Sequence, residues 1–283
     1  MLPNKGWCRP PGLATRIGTA MLPMRKGRFL IRPVDSDDDL HAAQRLRGLC
    51  FARQADGVTN TEGGQLVDSD RYDALCRHIL IEDEVGGNLV GCFRMLSLDG
   101  GAAIESSYSA QYYSLDGLRG YRGRMVEIGR FCLHPEWHDP DIIRLAWAAL
   151  TVMVDAEGIE MLFGCSSFSG TDPAPYVDAF AMLKERHLAP RRWLPLIRAP
   201  EVFPFARELR HRVPDVDRAR HGMPPLLRSY LAMGGWVSDH AVIDPQLDTL
   251  HVFTGLEVAT MPPARKRLLR AIARERDAGQ PVS

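Results

Sequence analysis

A chain of 283 residues, 45% hydrophobic and 25% charged, has the make-up of a soluble globular protein with enough length to bury a full core, which excludes a wholly disordered chain. Its 35 Lys and Arg balance 35 Asp and Glu, so no global field points to nucleic acid or to a membrane, and an electrostatic partner must be met by a local patch. Six scattered cysteines without a CxxC pair exclude a zinc ribbon and suit free thiols in a reducing compartment. Without a secretory leader or an apolar run near the roughly 20 residues a membrane helix needs, the expected location is the cytoplasm.

Residues 1–27 carry Lys5, Arg9, Arg16, Arg25 and Lys26, no acid, and four prolines, and read as a disordered basic tail. Phe29 to Val34 is a short apolar strand, and Asp35-Ser36 caps a helix with Leu40, Ala43, Leu46, Leu49 and Cys50 at helical spacing. After a polar stretch ending in Asp68-Ser-Asp-Arg-Tyr-Asp73, His78 to Glu82 and Leu89 to Leu98 form a hairpin turning at Gly86-Gly87. Tyr112 to Leu118 is predicted as a short helix.

Arg124 to Leu133 is a strand that places Glu127 and Arg130 among apolar residues, a burial that needs a reason. Asp139 caps the next helix, Pro140 occupies its first position, Ile142, Ile143, Ala146, Leu150, Met153 and Val154 form its apolar stripe, and Gly158 ends it. With the strand Met161 to Phe168 this makes a right-handed βαβ unit, followed by a helix from Tyr176 to His187. From Arg191 to Arg228 nine arginines face four acids, a patch on which an acidic partner could dock. Trp236 to Ile243 and Thr249 to Leu256 are the last strands, and a basic helix from Pro262 to Arg276 closes the chain.

This order of elements resembles the GNAT acyltransferase fold: an α/β protein with a mixed sheet, a GNAT-like acyl-CoA N-acyltransferase domain over residues 28–256, a basic tail before it and a basic helix over 257–283 after it. Enzymes of that fold that use free coenzyme A place a Gly-rich turn where this chain has His134-Pro-Glu-Trp-His-Asp-Pro140. That turn lacks glycine, two prolines remove N–H donors, and two carboxylates repel phosphate, so the donor is expected to present pantetheine without the nucleotide.

Several segments are similar to the acyl-carrier-protein-dependent ornithine N-alpha-acyltransferases, which are related to the acyl-homoserine-lactone synthases. They are Asp68 to His78, Gly91-Cys-Phe-Arg94, Tyr112 to Asp116, Glu127 to Pro135, Phe163 to Pro173 and Pro224 to Leu231. The resemblance implies transfer of a 3-hydroxy-fatty-acyl group from acyl carrier protein to the α-amine of L-ornithine, the first step of ornithine-lipid synthesis. It implies no cofactor beyond the acyl-phosphopantetheine that the carrier brings, no nucleic-acid partner, and peripheral contact with an anionic membrane at most. The rivals are a lactone synthase using S-adenosylmethionine and a non-catalytic carrier- or membrane-binding module.

Acyl transfer to an amine needs a neutral amine, an acyl carbon close to it, and donors for the oxyanion. Glu127 is the expected base, with burial raising its pKa; the alternative is an ion pair between Glu127 and Arg130, which needs a bulge near Gly129 because the two face opposite sides of a regular strand. A dibasic acceptor calls for acids and an arginine fork. Asp68, Asp70 and Asp73 would hold the ammonium and Arg94 the carboxylate; the alternatives are a helix-capping loop and an ion pair of Arg94 with one of these aspartates. Ser166 and Ser167 stand where pantetheine pairs with backbone in this fold, although small residues there also permit close approach. His134 and His138 have zinc-ligand spacing but Pro135 intervenes, and Cys165 reads as an inert core thiol, so no metal and no covalent nucleophile are expected.

Overall fold

The computed structural model describes residues 22–52, 60–62 and 65–274. Along them run β1 (Met24–Lys26), β2 (Phe29–Pro33), α1 (Asp37–Ala52), β3 (Asn60–Glu62), β4 (Gln65–Val67), β5 (Arg77–Asp83), β6 (Asn88–Leu98), β7 (Tyr113–Ser114), β8 (Arg124–Leu133), α2 (Pro140–Glu157), β9 (Ile159–Ser169) and α3 (Val177–Arg186). There follow β10 (Leu196–Ile197), β11 (Val202–Phe203), α4 (Phe205–Glu208), α5 (Val216–Gly222), α6 (Pro225–Ala232), β12 (Trp236–Val237), β13 (Ala241–Asp244), β14 (Thr249–Glu257) and α7 (Pro263–Arg274).

Ten strands make one sheet in the order β1-β2-β5-β6-β8-β9-β14-β13-β11, with β12 also on β14. Every contact in it is antiparallel except β8 with β9, the pair that α2 connects, so the predicted βαβ unit is present. Asp139 accepts from the Asp141 N–H at 2.8 Å and Gly158 ends α2 at φ 61°, the left-handed conformation that favours glycine. Ile142, Leu145, Ala146, Leu150 and Met153 are buried on the sheet, each of the larger ones contributing about 1.5–3 kcal/mol of apolar burial.

Three expectations change. Residues 22–27 are not tail: β1 pairs with β2 around Gly27, which turns at φ 58°, and alternation sends Leu22 and Met24 into the core while Arg25 pairs with Glu84 at 2.9 Å. Residues 1–21 lie outside the described residues. Tyr112 to Leu118 is not a helix but the short strand β7 and a 3₁₀ turn, Asp116–Leu118, because Tyr113 is pulled down by its hydroxyl contact with the His251 carbonyl at 2.8 Å. The strand expected over 236–243 is broken into β12 and β13, with the Ser238 hydroxyl bonding the His240 carbonyl at 2.7 Å between them. The terminal helix α7 packs Leu269 and Ile272 against the core that α2 shares and is tied by Arg270 to Asp155 at 2.8 Å, so it belongs to the same body as the sheet.

Two irregularities in β8 position the site. Pairing with β9 stops at Glu127 opposite Phe163, and beyond it the two strands part; Gly164 passes so near the Ile128 carbonyl oxygen that a Cβ would overlap it. On its other edge β8 carries the expected bulge. Arg94 faces Gly129 and Cys92 faces Cys132, so β8 has one residue more than β6 over that interval, and Arg130 takes φ 51° to accommodate it.

Candidate active site

The parting of β8 and β9 opens a cavity of about 230 Å³ through the sheet. Arg94, Tyr108, Glu127 and Arg130 line it from one face, Leu227 and Tyr230 of α6 close it from the other, and Ser166 and Ser167 stand on its β9 edge. Five of the residues expected from the sequence therefore meet around one space.

Glu127 is 4% exposed. Its Oε1 accepts from the Ser109 N–H at 2.7 Å and the Ser109 hydroxyl at 2.6 Å, and its Oε2 accepts from the Tyr108 N–H at 2.8 Å. Burial pushes its pKa up, and these bonds together with the charge of Arg94 oppose that rise without cancelling it. Three of the roughly four acceptor positions of a carboxylate are filled, which leaves one on Oε2 for a further N–H or water. Glu127 forms no ion pair with Arg130, so the alternative role proposed for it is not the one it has.

The bulge instead brings Arg130 onto the aspartates. Its Nε donates to Asp68 at 3.0 Å and its Nη2 to Asp70 at 3.4 Å, and its guanidinium lies 4.8 Å from the Tyr108 ring. Arg94 donates from both terminal nitrogens to Asp70 at 2.6 and 2.7 Å and from Nη1 to Asp73 at 2.7 Å. For Arg94 the ion-pair alternative is therefore the observed one. Asp73 also accepts from Arg47 at 2.7 Å and Gln44 at 2.9 Å, and Asp68 from Arg47 Nε at 2.7 Å. Burial works against the charge of Asp68 and Asp73, but the surrounding guanidiniums outweigh it and hold both carboxyls below their ordinary range. Three aspartates and three arginines thus neutralise one another, and the aspartates reach the cavity only through Arg94 and Arg130.

Arg47, Tyr108, Ser109 and Tyr230 were not anticipated. Arg47 had a legible signal, since it follows Ala43 by four and precedes Cys50 by three on the apolar stripe of α1, and it is 1% exposed. Tyr108 and Ser109 lie in irregular backbone that no periodicity marks. Cys165 lines the cavity, and burial pushes its thiol up to about 12. Ser166 is held by the Thr254 hydroxyl at 3.0 Å.

Residues 46–148 match the acetyltransferase (GNAT) domain family. The chain is similar to the L-ornithine N(alpha)-acyltransferase of Rhodobacter capsulatus, with 32% identity over 245 residues that cover 82% of this chain and 91% of that protein. It is also similar to the L-ornithine N(alpha)-acyltransferase of Brucella abortus, with 29% identity over 259 residues covering 85% and 88%. Among solved structures it is similar to a CoA-dependent acyl-homoserine lactone synthase, BjaI, with 13% identity, a TM-score of 0.46, and coverage of 87% of this chain and 90% of that one.

Proposed function

Because this chain belongs to the L-ornithine N(alpha)-acyltransferase family, we infer that it moves an acyl group from a pantetheine thioester to the α-amine of ornithine. The observation that carries the mechanism is a buried carboxylate, Glu127, at the gap where β8 and β9 part. The donor arm lies in that gap along unpaired strand edges near Ser166 and Ser167, and the acceptor amine approaches from the side of Arg94 and Arg130. Glu127 takes the amine proton through the vacant position on Oε2, directly or by a water. The residue of β8 left out of the ladder at the bulge offers an N–H to the thioester oxygen as the C–N bond forms. The thiolate that leaves needs a proton, a role we assign to the Tyr230 phenol on the opposite wall of the cavity. Arg94 and Arg130 receive the α-carboxylate through the N–H donors they do not spend on Asp68, Asp70 and Asp73, which fix their direction.

Acyl carrier protein is the donor we propose. In support, the N-terminus of α2 is capped by the carboxylate of Asp139 and carries Asp141 in its first turn, a poor seat for a pyrophosphate. A groove of about 840 Å³ between α2, α6 and α7, rimmed by Arg228 and Arg265, is large enough for a long acyl thioester. The arginines between 191 and 228 are less available than their number suggests. Arg198 pairs with Glu105 at 2.9 Å, and Arg212 with the buried Asp178 at 3.0 Å. Carrier docking is therefore assigned to Arg228 and the exposed end of α7, which also suits passing contact with anionic lipid. Among the described residues no helix is long and apolar enough to cross a membrane.

The test is mass spectrometry of products from purified protein, carrier-bound or coenzyme A-bound acyl groups, and a panel of amines. Acylornithine with a free side-chain amine is expected from the carrier thioester; acylation of S-adenosylmethionine in its place would favour the lactone synthase. Changing Arg228 and Arg265 together to Glu should raise the KM for carrier-bound donor roughly tenfold and leave a short pantetheine thioester unaffected, and added salt should weaken carrier binding in the same way. Equal effects on both donors would place the carrier elsewhere.

A further inference from the structure

The aspartates expected to hold the acceptor's ammonium are already neutralised, so that group needs another seat. One wall of the cavity supplies it. Thr249 and His251, two apart on β14, both line the cavity and are each 3% exposed, and both the Thr249 hydroxyl and the His251 Nε2 lack a hydrogen-bond partner among the described residues. The Tyr113 hydroxyl gives its single proton to the His251 carbonyl at 2.8 Å, so at 3.2 Å it accepts from Nδ1–H. That fixes the tautomer: Nε2 carries a lone pair. Burial, helped by the neighbouring His240 and Arg130, lowers the imidazole to about 3, so it stays neutral.

Behind them lies Asp244, the strand partner of Thr249, 3% exposed. It accepts from the Gln246 and Leu247 N–H groups at 3.0 and 3.2 Å and from the Tyr112 hydroxyl at 3.4 Å, and no Lys or Arg pairs with it among the described residues. A buried carboxylate fronted by two unsatisfied buried polar atoms is costly unless something cationic completes it. We propose that Asp244, Thr249 and His251 form the subsite for the side-chain ammonium of the acceptor, which donates to Thr249 Oγ1 and His251 Nε2 in the field of Asp244. The proposal rests on the reading of the protein as an ornithine acyltransferase and names the residues that make it select a diamine.

The acceptor pair for the test is ornithine and norvaline, which has the same carbon chain without the side-chain amine. The intact protein should prefer ornithine in kcat/KM, and Asp244→Asn and Thr249→Val should each raise the ornithine KM about 10- to 100-fold and reduce the preference over norvaline by the same factor. Thr249→Val is isosteric and leaves the Asp244 turn alone, so a folded variant is secured even where Asp244→Asn melts early. Loss that falls equally on both acceptors, leaving the preference unchanged, would overturn the subsite while the acylation activity stands. Failure of the intact protein to acylate ornithine would overturn the activity and the subsite together.

Discussion

Replacement of Glu127 by Gln should lower turnover roughly 10²- to 10⁴-fold and cost about 1–3 kcal/mol of stability, because one of the two backbone N–H groups that the carboxylate accepts from loses its acceptor. The amide keeps the shape of the side chain and its oxygen can still accept from Ser109, but its NH2 then meets the Tyr108 N–H that Oε2 accepts in the parent, and it has no pair of electrons basic enough to take the amine proton. The same variant tests the protonation state. Since burial holds the folded carboxyl above its ordinary 4.5, the acidic limb of the parent's pH profile should lie above that value, and it should be absent from whatever activity the variant retains. Full turnover by a folded Glu127→Gln protein would remove the carboxylate from the proton transfer and leave it as a strut for the Tyr108-Ser109 loop.

The largest stability loss is expected at Arg47. Arg47→Ala strips Asp68 and Asp73 of a buried partner, and unpaired buried charge costs about 3–5 kcal/mol, which for a chain of this size lowers Tm by roughly 10 °C. The pH dependence has a definite sign. Both aspartates sit below their ordinary 3.8 in the folded protein, so their contribution is present above that pH and is lost as pH falls through the lowered values. With Arg47 gone the carboxyls rise, and the acid-unfolding midpoint of the variant should lie at higher pH than the parent's. Thermal and acid melts of the two proteins side by side check this, and an unchanged midpoint would mean that Arg94 and Arg130 suffice for the cluster.

Where a segment's role is local, its residues announce it. Asp139-Pro140 and Gly158 bracket α2 because caps are written in residue types, and the Gly86-Gly87 turn is legible for the same reason. The bulge near Gly129 was deducible from Arg130 standing at the wrong parity, yet its consequence was not: it delivers Arg130 to Asp68 and Asp70, 62 and 60 residues away, rather than to Glu127. Partner choice between distant charges is decided by topology, which one strand's pattern does not contain. The hydrogen bonds that hold Glu127 come from Tyr108 and Ser109, in backbone without a period, and the wall proposed for the acceptor at Thr249 and His251 is visible only once the hydroxyl and imidazole are seen to lack partners.

The gap between β8 and β9 makes the sheet a partition with one window in it. In the proposed reaction donor and acceptor reach that window from opposite sides. The product of that reaction would straddle the wall, its tail on the side of α6 and its carboxylate among the arginines. Departure in either direction would draw one end through an opening shaped for the other, so release of this product would depend on the width of the window as well as on the chemistry that precedes it.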